Sequence, residues 1–250
     1  MLLSLKLILL FLLSFSVNIF TFNCDNLILR ANLCKLTYRK TPFLNFTKTK
    51  LLYNYNNFTY LKDCYIFNNN KTIDVCFRGT HTFNDICFNL NIYPKSFINS
   101  KIKVHNGFLQ KYLLIRENLI FNIDKIIKNN NIDEIYLNGH SSGGAVANIA
   151  SLDLINIYPD ITIKCITFGA PRVANKAFIE EYNKNIKNSI RIVNSCDIVQ
   201  FVPLPIIYHH IHEPLILYNK KPFNLKTYIK DNHGLNAYIK NLIELPYLNI

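Results

Sequence analysis

Ile135-Tyr-Leu-Asn-Gly139-His-Ser141-Ser-Gly143-Gly144-Ala-Val-Ala147 runs from apolar, strand-like residues through a Gly-x-Ser-x-Gly turn into a helix-forming segment. A serine on such a sharp strand-to-helix turn has its hydroxyl pushed out of the backbone, where it can act as a nucleophile. The glycines on either side have a mechanical reason to be there, since side chains would collide with the neighbouring strand and helix. The next residue, Ser142, opens the helix and offers its backbone N–H to a developing oxyanion. Only seven glycines occur in the 250 residues: Gly79, Gly107, Gly139, Gly143, Gly144, Gly169 and Gly234. In a chain this poor in glycine, the ones that remain mark places where the backbone needs them.

The pattern spreads outward from this turn. Upstream, Thr72-Ile-Asp-Val-Cys-Phe77 alternates and is β-branched, and it leads directly into Arg78-Gly79-Thr80. Lys103 to Phe108 reads as a turn into a long amphipathic helix from Leu109 to about Lys128, with Leu113, Ile120 and Ile127 on a period near seven. Glu134 to Asn138 is the central strand, and the helix after the turn continues to about Ile157. Downstream, Ile161 to Phe168 is a buried-strand run ending in Gly169-Ala-Pro-Arg172. A short helix from Lys176 to Tyr182 precedes a strand from Ile190 to Val193 and then Asn194-Ser-Cys-Asp197. Leu215 to Tyr218 reads as a last strand, and His233 begins the terminal helix. Residues 23 to 72 read as a less regular start, with both helix and strand. Strands alternating with helices of this length predict an α/β fold, a mostly parallel sheet flanked by helices. Active groups in such sheets gather at the carboxyl ends of strands. Thr80, Ser141, Arg172 and Asp197 all fall just after predicted strands.

A serine hydroxyl is a weak nucleophile and needs a base that is itself oriented by an acid. Asp197 fits the acid, since it follows a strand and precedes a proline-rich loop; Asp153, Asp160 and Asp231 are its rivals. Of the four histidines that follow, His209, His210 and His212 are clustered, without Cys or acidic partners at metal-ligand spacing. His233 lies beyond a further strand, in a loop that turns into a helix at Gly234, and is the preferred base.

Six stretches in order now resemble the class 3 lipases, the secreted fungal-type triacylglycerol lipase family. They are Phe77-Arg-Gly-Thr80, Val104-His-Asn-Gly-Phe108, Gly139-His-Ser-Ser-Gly-Gly-Ala145, Gly169-Ala-Pro-Arg-Val173, Val193-Asn-Ser-Cys-Asp-Ile-Val199 and Asn232-His233. The resemblance covers residues 73 to 240 and implies an α/β-hydrolase with Ser141, Asp197 and His233 as catalytic triad. It implies Thr80 as oxyanion residue, through its N–H and its hydroxyl, with the Ser142 N–H as partner. It places a lid helix at Phe83, Ile86, Cys87 and Leu90, whose apolar stripe would hide a cleft in water and turn outward at lipid. Four departures stand out, one being that the chain has no tryptophan, so the lid lacks an aromatic anchor that some relatives use. Ser142 replaces the family's usual leucine, Asn232 replaces a common aspartate, and the family's His-x-Gly-x-Glu stretch is poorly kept around His210 to Pro214.

The amino terminus reads as a secretory signal through Ser16, with Lys6, an apolar core from Leu7 to Leu13 and a Ser14-Phe-Ser16 cleavage site, the cut falling between 16 and 22. An uncleaved membrane anchor is the alternative, because apolar residues continue to Phe22. Residues 23–250 are then one domain. Secretion agrees with glycosylation acceptors at Asn45, Asn57 and Asn70. Of seven cysteines, Cys76 and Cys165 read as buried thiols, whereas Cys24, Cys34, Cys64 and Cys87 are the better disulfide candidates. The net charge of +12 favours an anionic lipid surface; scattered lysines with no recognition motif argue against nucleic acid. The expected substrate is a lipid ester at a membrane or emulsion interface, with no metal, no cofactor and no obligate protein partner. The alternatives are an esterase for soluble or wall-bound esters such as feruloyl groups, and a non-catalytic lipid-binding glycoprotein on the same fold.

Overall fold

The computed structural model describes residues 23–39, 55–80, 92–218 and 229–245. The proposed lid positions Phe83, Ile86, Cys87 and Leu90 lie outside the described residues, as do the amino-terminal signal and Asn45. The elements are α1 (Cys24–Leu36), β1 (Asn57–Leu61), β2 (Cys64–Asn68), β3 (Thr72–Phe77), β4 (Pro94–Phe97), β5 (Asn99–His105) and α2 (Asn106–Asn129). They continue with β6 (Glu134–His140), α3 (Ser142–Ile157), β7 (Thr162–Phe168), α4 (Lys176–Asn185), β8 (Asn188–Asn194), β9 (Pro214–Leu217) and α5 (Leu235–Ile243).

A seven-stranded sheet runs in the order β1-β2-β3-β6-β7-β8-β9. The first three strands are antiparallel hairpins, and β3, β6, β7, β8 and β9 pair in parallel. β4 and β5 form a separate two-stranded ladder. This is the mostly parallel sheet that the alternating pattern predicts, in the α/β-hydrolase arrangement that the resemblance implies. Both faces of the sheet are covered, which is why the central strands are apolar on both sides. Ile73, Val75, Phe77, Ile135 and Leu137 pack with α2, α3 and α4. Their alternates Cys76, Tyr136, Ile166 and Phe168 pack with α1 and α5. The period-2 pleat sends neighbours on a strand to opposite layers.

The central helix α3 is buried from Ser142 to Leu152, so its composition is small and apolar rather than striped. Helix α2 is striped, and its buried face is Phe108, Leu109, Tyr112, Ile115, Leu119 and Ile123. The seven-residue series read from the sequence lies beside that face: Leu113 is exposed, and Ile120 and Ile127 are half-buried against the core. A heptad drifts by about 20° per repeat on a straight α-helix, so such a series runs obliquely to the core-facing stripe.

Other expectations need correcting. Lys103-Val-His105 is the end of strand β5 rather than a turn, held by pairing with β4 and by a bridge from Val104 to Ala174. The terminal helix begins at Leu235, and His233 closes a wide turn, Ile229–His233, ahead of it. Cys24, Cys34 and Cys64 are free thiols, as are Cys76, Cys165 and Cys196, so none of the first three is in a disulfide; Cys87 lies outside the described residues. Cys34, Cys64 and Cys76 are fully buried where the sheet meets its helices, and burial pushes the Cys64 and Cys76 thiols up. A buried protonated thiol packs as a small apolar group, and its spacing in sequence carries no sign of that.

Candidate active site

Ser141 stands between β6 and α3 with φ 58° and ψ −133°, a strained conformation for a residue with a side chain. Close packing holds it there. A Cβ on Gly139 would strike the backbone of Gly143, and one on Gly143 would strike the Phe77 carbonyl at the end of β3. The turn can therefore nest against the loop that carries Thr80 only if these two residues lack side chains. The Ser141 N–H donates to Phe168 O at 2.9 Å, tying the turn to β7 as well.

Three carboxyl-end loops converge on this turn. Asp197, after β8, accepts the His233 Nδ1–H on Oδ2 at 2.8 Å, with both side chains buried. Its Oδ1 accepts the Val199 N–H at 2.9 Å, which fixes the carboxylate plane. Tyr238 O–H donates to Oδ2 at 2.6 Å and takes the Asn194 N–H at 3.2 Å. Donors on both carboxylate oxygens hold the negative charge in one orientation, so His233 keeps its proton on Nδ1 and presents Nε2 as an acceptor. Ser141 Oγ and His233 Nε2 are both buried, and neither has a hydrogen-bond partner among the described residues. Leaving a buried polar atom unsatisfied costs about 1–3 kcal/mol, and a catalytic role is one reason for a fold to keep such an atom.

Gly169, φ +57°, makes this gathering possible. A Cβ there would lie 2.5 Å from Asp197 Oδ2, 2.7 Å from Tyr238 Oη and 3.2 Å from His233 Nδ1. The left-handed backbone and the missing side chain serve the same pair of residues.

Behind His233 is a support that sequence reasoning did not reach. His140 Nε2 lies 2.7 Å from the His233 carbonyl, which can only accept, so this nitrogen carries the proton. His140 Nδ1 then accepts from Tyr38 O–H at 2.8 Å, just beyond α1. Burial, reinforced by the nearby His233, lowers His140 to about 3 and keeps it neutral. Asn194 adds a strap, donating from its side chain to the Asn232 carbonyl at 2.7 Å and accepting from Asn241 at 2.9 Å. Asn194 and His140 stand inside quoted motifs, whereas Tyr38 and Tyr238 have no local signal at all.

On the other side of Ser141, Thr80 Oγ1 and Ser142 Oγ are 2.7 Å apart, and Lys111 Nζ is 3.2 Å from each. Ser142 is the first residue of α3, where backbone N–H groups have no partner within the helix. The positions expected to cradle an oxyanion are thus brought together, and Lys111 joins them unforeseen.

The rival residues have other work. Asp153 is held by Arg116 at 2.6 Å and by Tyr112 O–H at 2.5 Å, joining α3 to α2. Asp160 is exposed in the loop after α3, beyond the end of that helix opposite to Ser141. His210 donates to Gln200 O at 2.6 Å and His212 to Ile186 O at 3.1 Å, so these rings staple loops. Among the described residues there is no cluster of His, Cys, Asp or Glu that could hold a metal ion.

Comparisons with known proteins give the family and the fold. Over 140 residues the chain is 33% identical to a lipase of Rhizopus niveus, a match covering 53% of this chain and 35% of that one. It is 29% identical over 136 residues to the secreted mono- and diacylglycerol lipase MDL2 of Malassezia globosa, covering 54% and 45%. The chain thus spans between about a third and a half of the length of these curated relatives. The solved triacylglyceride lipase of Rhizomucor miehei shares the fold with a TM-score of 0.69 at 22% identity, over 79% of this chain and 80% of that one. The family model for lipase (class 3) matches residues 75–206, from the strand before Thr80 to the loop beyond Asp197, and the chain belongs to that family.

Proposed function

We propose that this chain is a secreted serine esterase that hydrolyses carboxylic ester bonds of lipids, with Ser141 as nucleophile, His233 as base and Asp197 as its orienting acid. The observation that carries the reading is the buried Asp197–His233 hydrogen bond of 2.8 Å together with a strained serine whose buried hydroxyl has no partner among the described residues. Ser141 Oγ attacks the ester carbonyl while its proton passes to His233 Nε2. Asp197 stabilises the imidazolium that results. The carbonyl oxygen takes up the negative charge against the Thr80 and Ser142 N–H groups. The intermediate collapses, and the alcohol leaves with the proton from His233. Water then repeats the sequence on the acyl-enzyme, releasing the acid and restoring Ser141. Protons and acyl group move only between these residues, substrate and water, so the reading calls for no cofactor.

A lipid rather than a soluble ester is favoured by the surface that follows Asp197. Phe201, Leu204, Ile206 and Ile207 are exposed on one loop, and Tyr208 O–H ties that loop to Ile92, which is exposed beside exposed Tyr93. Exposed apolar side chains this dense favour contact with an apolar phase. The net charge of +12 favours an anionic one. Secretion is part of the proposal, supported by the amino-terminal pattern and by the relative named as secreted.

Hydrolysis of a soluble short-chain ester, emulsified triacylglycerol and anionic phospholipid vesicles, wild type beside Ser141→Ala, tests the reading. Activity that rises at the emulsion threshold is expected, with kcat lower by about 10⁴-fold or more in the variant. Activity on the soluble ester alone would move the substrate class to non-lipid esters. Unchanged activity in Ser141→Ala would remove the nucleophile.

A further inference from the structure

Lys111, on the second turn of α2, is absent from the reaction as described, yet it touches the oxyanion side of the site. Its Nζ lies 3.2 Å from Thr80 Oγ1 and 3.2 Å from Ser142 Oγ, and those two oxygens are 2.7 Å from each other. The three atoms come from three elements: the loop after β3, the start of α3, and α2. Thr80 and Lys111 line a cavity of about 230 Å³ together with Phe77, Ile115 and Val146 and with the Asp63–Arg78 ion pair, so the ammonium stands between apolar walls and a charged pair.

Counting protons fixes what this triangle can do. An ammonium donates and never accepts, so both hydroxyls are acceptors toward Lys111. Each hydroxyl has one hydrogen, and the 2.7 Å contact uses one of the two. One hydroxyl hydrogen is left over, on whichever oxygen accepts within the pair. A hydroxyl whose own oxygen accepts from a cation is a stronger donor, because chains of hydrogen bonds polarise one another. The triangle also accounts for the departure at Ser142. Leucine, usual in the family at this position, could take no bond from Lys111, whereas serine can.

We infer that Lys111 is a positioning residue of the oxyanion site: it locks the Thr80 and Ser142 hydroxyls together and leaves one polarised hydroxyl hydrogen for the substrate oxyanion. The inference rests on the serine-esterase reading for its place in the reaction. Its effect belongs to the transition state, where the carbonyl oxygen becomes negative, and not to binding of the neutral ester.

The test compares wild type, Lys111→Met, Lys111→Arg, Ser142→Ala and the double variant Lys111→Met/Ser142→Ala. Two rates are measured: hydrolysis of a soluble neutral ester, and phosphonylation of Ser141 by an alkyl fluorophosphonate. In the second, the Oγ–P bond forms, the P–F bond breaks, fluoride leaves and His233 takes the serine proton. Thermal melting checks that each variant is folded. Lys111→Met is expected to lower kcat about 10- to 100-fold with KM within about threefold, and to slow phosphonylation in parallel. Lys111→Arg should recover part of the loss. The double variant should be little worse than the worse single one, because the lysine acts through the hydroxyls. A folded Lys111→Met with kcat and phosphonylation within threefold of wild type would overturn the inference. So would a change confined to KM, which would make Lys111 a substrate contact. If wild type is phosphonylated but hydrolyses no ester, the esterase reading fails alone, and the labelling rates still decide the role of Lys111.

Discussion

Gly169→Ala tests whether the site depends on one missing side chain. The new methyl carbon would stand 2.5 Å from Asp197 Oδ2, about 0.9 Å inside the 3.4 Å at which ordinary contact begins, and 2.7 Å from Tyr238 Oη. Neither neighbour can yield freely, since Asp197 is tied to Val199, His233 and Tyr238 and all of them are buried. The carboxylate must therefore retreat, and the 2.8 Å bond to His233 is the one that lengthens or turns. A misplacement near 1 Å costs about 10²-fold in rate, or about 2.7 kcal/mol of barrier. The φ of +57° adds a folding cost of about 1–2 kcal/mol for any residue with a Cβ. That lowers the melting temperature by about 2–8 °C in a chain of this size. The assay is kcat on a soluble ester at a temperature where the variant is folded, beside the phosphonylation rate of Ser141. Gly169→Ala/Tyr238→Phe, which removes the hydroxyl crowding the methyl, should recover part of the folding loss. A folded Gly169→Ala with kcat within threefold of wild type would refute the reasoning, because Asp197 would then have room the structure does not give it.

Further outcomes follow from the surroundings of the site. Tyr38→Phe leaves the buried His140 Nδ1 without its donor, at a cost of about 1–3 kcal/mol in urea unfolding. The rate should fall no more than about tenfold, since Tyr38 reaches His233 only through a ring and a carbonyl; equal stability would mean this chain of bonds carries no load. His140 and His210 are each held down to about 3, chiefly by burial, against the usual 6.5. The unfolded chain therefore takes up protons that the folded one refuses, so stability is complete above pH 6.5 and falls between about 6.5 and 3. The loss is up to about 1.4 kcal/mol per pH unit for each group. Unfolding free energies at pH 7.5, 6 and 5 should show this slope, and His210→Gln should flatten it by about one proton; a flat profile would contradict the burial. Iodoacetamide on the native protein, read peptide by peptide by mass spectrometry, should modify Cys24 and Cys196 ahead of Cys34, Cys64, Cys76 and Cys165. Rapid native labelling of Cys34 or Cys64 would show that the sheet and α1 are not packed as described.

Local chemistry was readable wherever a residue's neighbours in sequence are also its constraints. Strand β3 runs from Thr72 to Phe77, just as its β-branched alternation predicts, and the helix after the serine ends at Ile157 as expected. Reading failed where the decisive partner is far along the chain. Lys103 to His105 looks like a turn but is held extended by β4 and Ala174. Cys34 and Cys64 look like bridge formers but fill space as thiols.

The site divides in the same way. Ser141, Asp197, His233, Thr80 and Ser142 were marked by glycine spacing, strand ends and family motifs, all features of short stretches. Their marking as candidates is what the sequence determined, because a strained turn needs its glycines nearby and a parallel sheet delivers its loops to one edge. The tertiary structure alone decided which groups support them. Tyr38 meets His140 across 102 residues, Tyr238 meets Asp197 across 41, and Lys111 meets Thr80 across 31. A tyrosine or lysine on or beside a helix reads as core filler or a solvated charge, and nothing beside it in the chain says otherwise. Only the packing of α1, α2 and α5 against the sheet puts those hydroxyls and that ammonium within bonding distance of Asp197, of His140 behind His233, and of Thr80.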